Sequence, residues 1–169
     1  REGPARDEAR FEREARILSD LKDPGVVAYV AHGVDAEGNA YLATEWLDGE
    51  SLSKRLSREP PLTVAESLII GLRVASTLGE AHARGIIHRD LKPSNLFLPG
   101  GDVRQVKLLD FGVSRPTLDG NQLTSPGDMI GTPGYMAPEQ ARAKGPVDAR
   151  ADVFSLGCVI FRCATGREA

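Results

Sequence analysis

The sequence predicts an α+β fold in which short hairpins accompany longer helices. Two runs rich in β-forming residues, 26–30 and 40–47, flank a turn-forming segment at 35–39 and indicate one hairpin. A capping box that begins at Thr63 opens a long helix. Residues 148–165 are apolar nearly all round, which is typical of a buried helix. The chain is therefore expected to combine a little sheet with a mainly helical part.

Length and composition place the chain among globular proteins. It has 169 residues, of which 41% are hydrophobic, enough for a domain with its own core. The net charge is −3 without a basic block, so nucleic-acid binding is not indicated. No apolar run approaches the ~20 residues that span a bilayer, and no signal peptide is visible. Cys158 and Cys163 point to different faces of one helix and predict buried thiols rather than a disulfide.

Helix-forming residues dominate the N-terminal part of the chain. Apolar side chains recur on one helical face, at Phe11, Leu18 and Leu21, and Glu14 shares that face. Two interpretations of Glu14 remain open at this point. It either forms an ordinary surface pair with Arg10, one turn earlier, or bonds to a lysine from outside this helix.

The long helix after Thr63 is expected to be the buried centre of the helical part. Its buried stripe is predicted to consist of Leu68, Leu72, Ala75 and His82. His82 is interpreted as a structural residue, and Gly85 as the residue that follows the helix end. A shorter helix is expected to open at Ser51 and to end before Pro60.

A second hairpin is predicted around the turn-forming residues 99–102. Apolar strands at 96–98 and 106–109 flank that turn. Asn95, just before the first strand, is therefore expected to lie close to Asp110, just after the second. Both side chains offer the hard oxygen ligands that Mg²⁺ prefers. The sequence thus predicts a magnesium site where the two ends of this hairpin meet.

The polar loop before this hairpin carries two more groups that suit phosphate chemistry. A short apolar strand at Ile86 and Ile87 is expected to hold the start of the loop. Asp90 would then face a substrate hydroxyl, orient it and accept its proton, and Lys92 would neutralise charge on a transferring phosphoryl group. The alternative is that these side chains simply cover a solvated loop.

Three motifs give the chain a resemblance to a known family. Residues 88–95 match H-R-D-L-x-x-x-N, residues 110–112 read D-F-G, and residues 137–139 read A-P-E. The chain therefore resembles the eukaryotic-like Ser/Thr protein kinases, bacterial members in particular, from the αC helix through the αF helix. The resemblance implies a protein-kinase-like bilobal fold. Residues 1–47 would be a remnant of the small lobe with the hinge, and residues 48–169 a large lobe without its last helices.

The resemblance implies transfer of the γ-phosphoryl group of ATP to Ser or Thr hydroxyls of proteins, with Mg²⁺, or Mn²⁺ in its place. Lys92, two residues after the aspartate, matches the Ser/Thr type rather than the tyrosine type. The implied catalytic residues are Asp90, Lys92, Asn95 and Asp110, of which Asn95 and Asp110 bind the metal. The implied ATP-binding residues are Thr44 as gatekeeper, Glu45 and Leu47 through their main chain, Phe97, Lys92, Asn95 and Asp110.

Structural and regulatory roles also follow from the resemblance. Arg89 would bind a phosphorylated residue of the activation segment, Thr124 first and Ser125 second, unless both stay unmodified. Asp152 would hold the catalytic-loop backbone, in addition to or instead of serving as a first-turn carboxylate that the helix dipole favours. The other residues implied are Glu14, which would bond to the ATP-binding lysine, Phe111 and Gly112 of the D-F-G motif, Thr132, which would bridge Asp90 and Lys92, and Glu139 of the A-P-E motif.

The sequence departs from the family pattern at both ends. It contains neither the Gly-rich loop nor the V-A-I-K lysine, and it stops before the later helices, where the arginine that pairs with Glu139 would lie. It is therefore expected to be an internal piece of a kinase domain or a truncated gene product, feebly active and unstable alone. Two alternatives to an active protein kinase are a pseudokinase or scaffold, and a small-molecule phosphotransferase, which would lack the A-P-E segment. The implied partners are protein substrates, ATP and a second copy of the parent. The implied location is cytoplasmic, with any membrane anchor outside this segment.

Overall fold

The structure, a computed structural model, describes residues 11–12, 15–16, 18–58, 60–109, 111, 134–142 and 147–168. The predictions for Glu14, Asp110, Gly112, Thr124, Ser125 and Thr132 concern residues outside this set. The strands are β1 (Tyr29–Val34), β2 (Ala40–Thr44), β3 (Gly49–Ser51), β4 (Leu96–Pro99) and β5 (Lys107–Leu108). The helices are α1 (Leu52–Leu56), α2 (Val64–Ala83), α3 (Pro138–Ala141) and α4 (Arg150–Thr165), and the described residues among 11–20 are also helical.

The first predicted hairpin is present, but its first strand begins later than expected. β1 pairs antiparallel with β2, and the carboxylate of Asp35 closes the turn by accepting from the Asn39 amide at 2.7 Å. Residues 26–28 are not part of β1 because the chain here pairs with β5 instead. Val26 forms a parallel bridge with Leu108, and the Val27 amide donates to the Leu108 carbonyl at 2.9 Å.

The second predicted hairpin is confirmed, as a three-stranded antiparallel sheet in the order β3-β4-β5. The predicted strand at Ile86 and Ile87 is wrong, since neither residue pairs with a strand. The Ile86 amide instead donates to the Ala81 carbonyl at 3.0 Å and completes the end of α2. The backbone amides of this segment thus bond to the end of α2 and, at His88, to the Asp152 side chain, instead of to a neighbouring strand.

Both predicted ends of α2 are confirmed. The Thr63 hydroxyl accepts from the Glu66 amide, and the Glu66 carboxylate accepts from the Thr63 amide at 2.8 Å, which is the predicted capping box. At the other end, Gly85 adopts the left-handed φ of 74° that a Schellman motif requires. The Gly85 amide bonds to the His82 carbonyl at 2.9 Å.

The predicted buried stripe of α2 is wrong. Leu68 and Leu72 are 62% and 74% exposed, and Ala75 is also exposed. The buried face lies next to that stripe and consists of Ser67, Ile70, Gly71, Val74, Thr77, Leu78 and Ala81. Its small residues allow α4 to approach, since a Cβ added at Gly71 would lie 2.8 Å from Cδ1 of Ile160. Close approach of the two helices therefore selects the face with small residues.

The last helix is buried along one face rather than all round. Val153, Phe154 and Phe161 are exposed, contrary to the prediction, while Leu156 and Val159 join the core. Cys158 and Cys163 are buried and free, as predicted. Burial raises the pKa of the Cys163 thiol to about 11. Within the described part of the chain, no helix has the length and apolar character needed to cross a membrane.

Candidate active site

The loop after α2 places three of the predicted catalytic side chains in contact. Lys92 Nζ lies 3.0 Å from Oδ2 of Asp90, and Nδ2 of Asn95 donates to the same oxygen at 3.1 Å and to the Asp90 carbonyl at 2.9 Å. The Asp90 and Lys92 side chains are only 13% and 19% exposed. The carboxylate is therefore held between a cation and an amide at a shielded position.

Asn95 is fixed by the strand that follows it. Its amide donates to the Lys92 carbonyl at 3.0 Å, and its carbonyl accepts from the Leu109 amide at 2.9 Å. The end of the polar loop thus lies beside the residue that precedes Asp110. Because Asp110 is outside the described residues, the shared metal site of Asn95 and Asp110 stays a prediction.

His88 connects the polar loop that carries Asp90 to the strand end at Leu109, a role that the sequence reasoning missed. The ring is fully buried, and its Nε2 lies 2.9 Å from the Leu109 carbonyl, to which it must donate. Its Nδ1 then accepts from the Asp90 amide at 3.3 Å. The ring also packs against Phe111, with centroids 5.0 Å apart. The signal in the sequence was a histidine directly after the apolar pair Ile86 and Ile87.

Asp152, in the first turn of α4, binds the start of the polar loop. It is fully buried and accepts from the amides of His88 and Arg89, each at 2.8 Å. His82 Nε2 lies 2.7 Å from Oδ2 of Asp152, which agrees with the structural role predicted for His82. Two helices are thereby tied to the backbone that leads into Asp90.

The segment predicted to be the hinge follows β2. Thr44 lines a small apolar cavity of about 10 Å³, together with Leu18, Val27, Tyr29, Leu42 and Phe111. A cavity of this size holds at most one water molecule. The Glu45 amide already donates to the Ala28 carbonyl at 2.8 Å. The main-chain contact with adenine predicted for Glu45 stays a prediction, and it would have to use the carbonyl group rather than the amide.

The Glu45 side chain makes contacts that the sequence did not indicate. Its Oε1 accepts from the Ala28 amide at 2.8 Å and from Lys107 Nζ at 2.5 Å. The bond to Lys107 is the main cause that holds the pKa of Glu45 below its ordinary value of 4.5. Lys107 lies 62 residues away in sequence, so only the sheet register brings it here.

The ion pair between Glu45 and Lys107 predicts a defined pH dependence. Because its folded-state pKa is lowered, Glu45 stabilises the protein above pH 4.5, and this contribution is lost as pH falls through the folded pKa. Glu45→Gln should reduce the free energy of unfolding in urea by about 1 kcal/mol at pH 7. The difference from wild type should shrink as pH falls below 4.5 and disappear once Glu45 is protonated in the folded protein.

Lys107→Met provides the control for this prediction. In that background, Glu45→Gln should have little further effect at pH 7, because the partner is already gone. A difference between wild type and Glu45→Gln that stayed constant from pH 7 to pH 3 would contradict the assignment.

Similar proteins with curated names include serine/threonine-protein kinases. The model of the protein kinase domain family matches residues 2–169. Serine/threonine-protein kinase pkn3 of Myxococcus xanthus is 39% identical over 163 residues, which cover 94% of this chain and 30% of that protein. PknB, a serine/threonine-protein kinase of Mycobacterium tuberculosis, is 40% identical over 162 residues, which cover 93% of this chain and 25% of that protein.

Structure comparison gives the same result. A crystal structure of the Mycobacterium tuberculosis PknI kinase domain has a TM-score of 0.75 and 28% sequence identity, and the match covers 96% of this chain and 58% of that one. The α+β fold with a kinase-like arrangement is thereby confirmed. The chain spans 25–30% of the length of the two curated relatives named above. Since the family match extends over nearly every residue, the chain belongs to the protein kinase domain family.

Proposed function

We propose that the protein containing this chain is a Ser/Thr protein kinase, which transfers the γ-phosphoryl group of Mg-ATP to Ser or Thr hydroxyls of other proteins and of itself. The observation that carries the proposal is the shielded contact between Asp90, Lys92 and Asn95. Phosphoryl transfer asks a protein mainly for positioning and charge neutralisation, and this group supplies both. The curated relatives bear the same activity in their names.

In this mechanism, Asp90 acts on the acceptor hydroxyl and Lys92 on the phosphoryl group that is transferred to it. The substrate hydroxyl donates a hydrogen bond to the Asp90 carboxylate, which orients its oxygen toward the γ-phosphorus. As the new oxygen–phosphorus bond forms and the bond to the β-phosphate oxygen breaks, the hydroxyl proton passes to Asp90 and ADP departs. The Lys92 ammonium, next to Asp90, offsets negative charge on the transferring group.

The donor set on this loop suits a magnesium ion. Nδ2 of Asn95 donates to Asp90, so its Oδ1 is the atom that would bind Mg²⁺, with Asp110 as the second protein ligand. When bound, Mg²⁺ supplies positive charge that neutralises the phosphate oxygens.

Other residues would bind the adenine and the activation segment. The adenine would contact the Glu45 carbonyl, the Leu47 main chain and Phe97. Arg89 would bind a phosphorylated residue of the activation segment. The Arg89 Nε atom is buried without a hydrogen-bond partner among the described residues.

The test is phosphoryl transfer by the full-length protein. With γ-labelled ATP, Mg²⁺ and a set of Ser, Thr and Tyr peptides, label should appear on Ser or Thr, and chelation of the metal should abolish it. Binding of Mg-ATP without any transfer would instead support the pseudokinase alternative. Label on a small molecule but on no protein would support the alternative of a small-molecule phosphotransferase.

A further inference from the structure

Arg89 has a backbone conformation that needs support from its surroundings. Its φ is 64°, the one positive value for a non-glycine residue in the part of the chain that the structure describes. A side chain in this left-handed region costs roughly 1–2 kcal/mol. The residue directly after it is Asp90. The contacts that maintain the conformation of Arg89 therefore also set the direction in which the Asp90 side chain extends from the backbone.

Side chains from two distant elements hold the two peptide groups of Arg89. Its amide donates to Oδ1 of Asp152 at 2.8 Å, across 63 residues. Its carbonyl accepts from Nε2 of Gln140 at 3.0 Å, across 51 residues. Because a peptide unit is planar, that carbonyl and the Asp90 amide form one rigid group. Gln140, together with His88, which accepts from that amide at 3.3 Å, thus fixes the plane from which the Asp90 side chain extends.

Gln140 is itself held at the other end of its amide. Its Oε1 accepts from the Ala137 amide at 3.2 Å, which caps the start of α3. The segment before α3 is tied to α4, since the Ser155 hydroxyl donates to the Tyr135 carbonyl at 2.6 Å. A side-chain amide can accept at one atom and donate at the other, whereas a carboxylate of the same shape can only accept.

We propose that Gln140 is a positioning residue of the active site, which orients Asp90 by holding the carbonyl of Arg89. This role rests on the kinase activity proposed above. It differs from an ordinary cap because the cap uses Oε1 and the positioning bond uses Nε2. The two bonds can therefore be removed separately, and only loss of the Nε2 bond should affect the rate.

The decisive variant is Gln140→Glu. It keeps an acceptor for the Ala137 amide but cannot donate to the Arg89 carbonyl, so the cap survives and the positioning bond is lost. In the full-length protein, kcat should fall about tenfold, while KM for ATP stays within about twofold because the hinge is not involved. Gln140→Met loses both bonds and should show the same fall in kcat together with a lower melting temperature.

Glu66→Gln is the matched control. Glu66 holds the equivalent position in the capping box of α2, away from Asp90. Replacing this glutamate by glutamine is the reverse of Gln140→Glu and should leave kcat unchanged. An equal loss of kcat in this control would show that a Gln/Glu exchange at any capping position slows the enzyme, and it would overturn the proposal. Wild-type kcat in both Gln140→Glu and Gln140→Met would overturn it as well.

Hydrogen exchange separates failure of this proposal from failure of the kinase assignment. In Gln140→Glu, the Asp90 amide should exchange at least about tenfold faster than in wild type, since its peptide group loses the bond from Gln140 and keeps the longer 3.3 Å bond to Nδ1 of His88. The His88 and Arg89 amides bond to Asp152 and should keep their protection. Unchanged exchange at Asp90 would overturn the positioning role, even in a protein that proved inactive as a kinase.

Discussion

Asp90→Asn is expected to lower kcat for phosphoryl transfer by about 10³, within the range for loss of a general base. The substituted amide can still accept from Nδ2 of Asn95 through its oxygen, so the loop should keep its geometry. It can neither accept the hydroxyl proton nor balance the charge of Lys92. KM for ATP should change by less than about threefold, because Asp90 itself is not among the residues expected to bind the nucleotide.

Asp102→Asn is a suitable control for this measurement. Asp102 is a partly exposed carboxylate at the turn between β4 and β5, where it accepts from the Arg104 amide at 2.9 Å. The same change of charge at that position should leave both kinetic constants within about twofold of wild type. If Asp90→Asn retained more than a tenth of wild-type kcat, Asp90 would not be the proton acceptor.

Features that depend on neighbours in sequence could be predicted. The capping box at Thr63, the Schellman end at Gly85 and the hairpin turns each depend on a few consecutive residues, and the structure contains all of them. Asp90 and Asn95 were predicted as site residues from one motif, and their contact lies within one loop. Local chemistry determines these elements, so local reasoning finds them.

Features that depend on distant partners could not be predicted in the same way. Leu68 and Leu72 have the apolar character and spacing of a buried face, yet both are exposed. The face of α2 that α4 covers is instead decided by close packing at Gly71. The Glu45 carboxylate and the Gln140 amide reach partners 62 and 51 residues away. Neither pairing has a period or a spacing that a single sequence displays.

Asp152→Ala is expected to cause the largest loss of stability, about 3–5 kcal/mol in the free energy of unfolding. The fully buried carboxylate accepts from the His88 and Arg89 amides and lies 2.7 Å from Nε2 of His82. Alanine would leave these donors buried without a partner, at roughly 1–3 kcal/mol each. Urea unfolding followed by circular dichroism measures the change directly.

The size of this loss distinguishes the two interpretations of Asp152. A carboxylate that only complements the helix dipole contributes about 0.3–1 kcal/mol, and Asp152→Ala would then be mild. Asp148→Asn gives the reference, since Asp148 is an exposed acid just before α4 that bonds to Arg150, and its loss should change the free energy of unfolding little. Asp152→Asn should fall between the two variants. Its single oxygen can serve one amide, while its NH₂ group would face the other donor. Equal costs for Asp152→Ala and Asp148→Asn would mean that the catalytic loop keeps its conformation without help from α4.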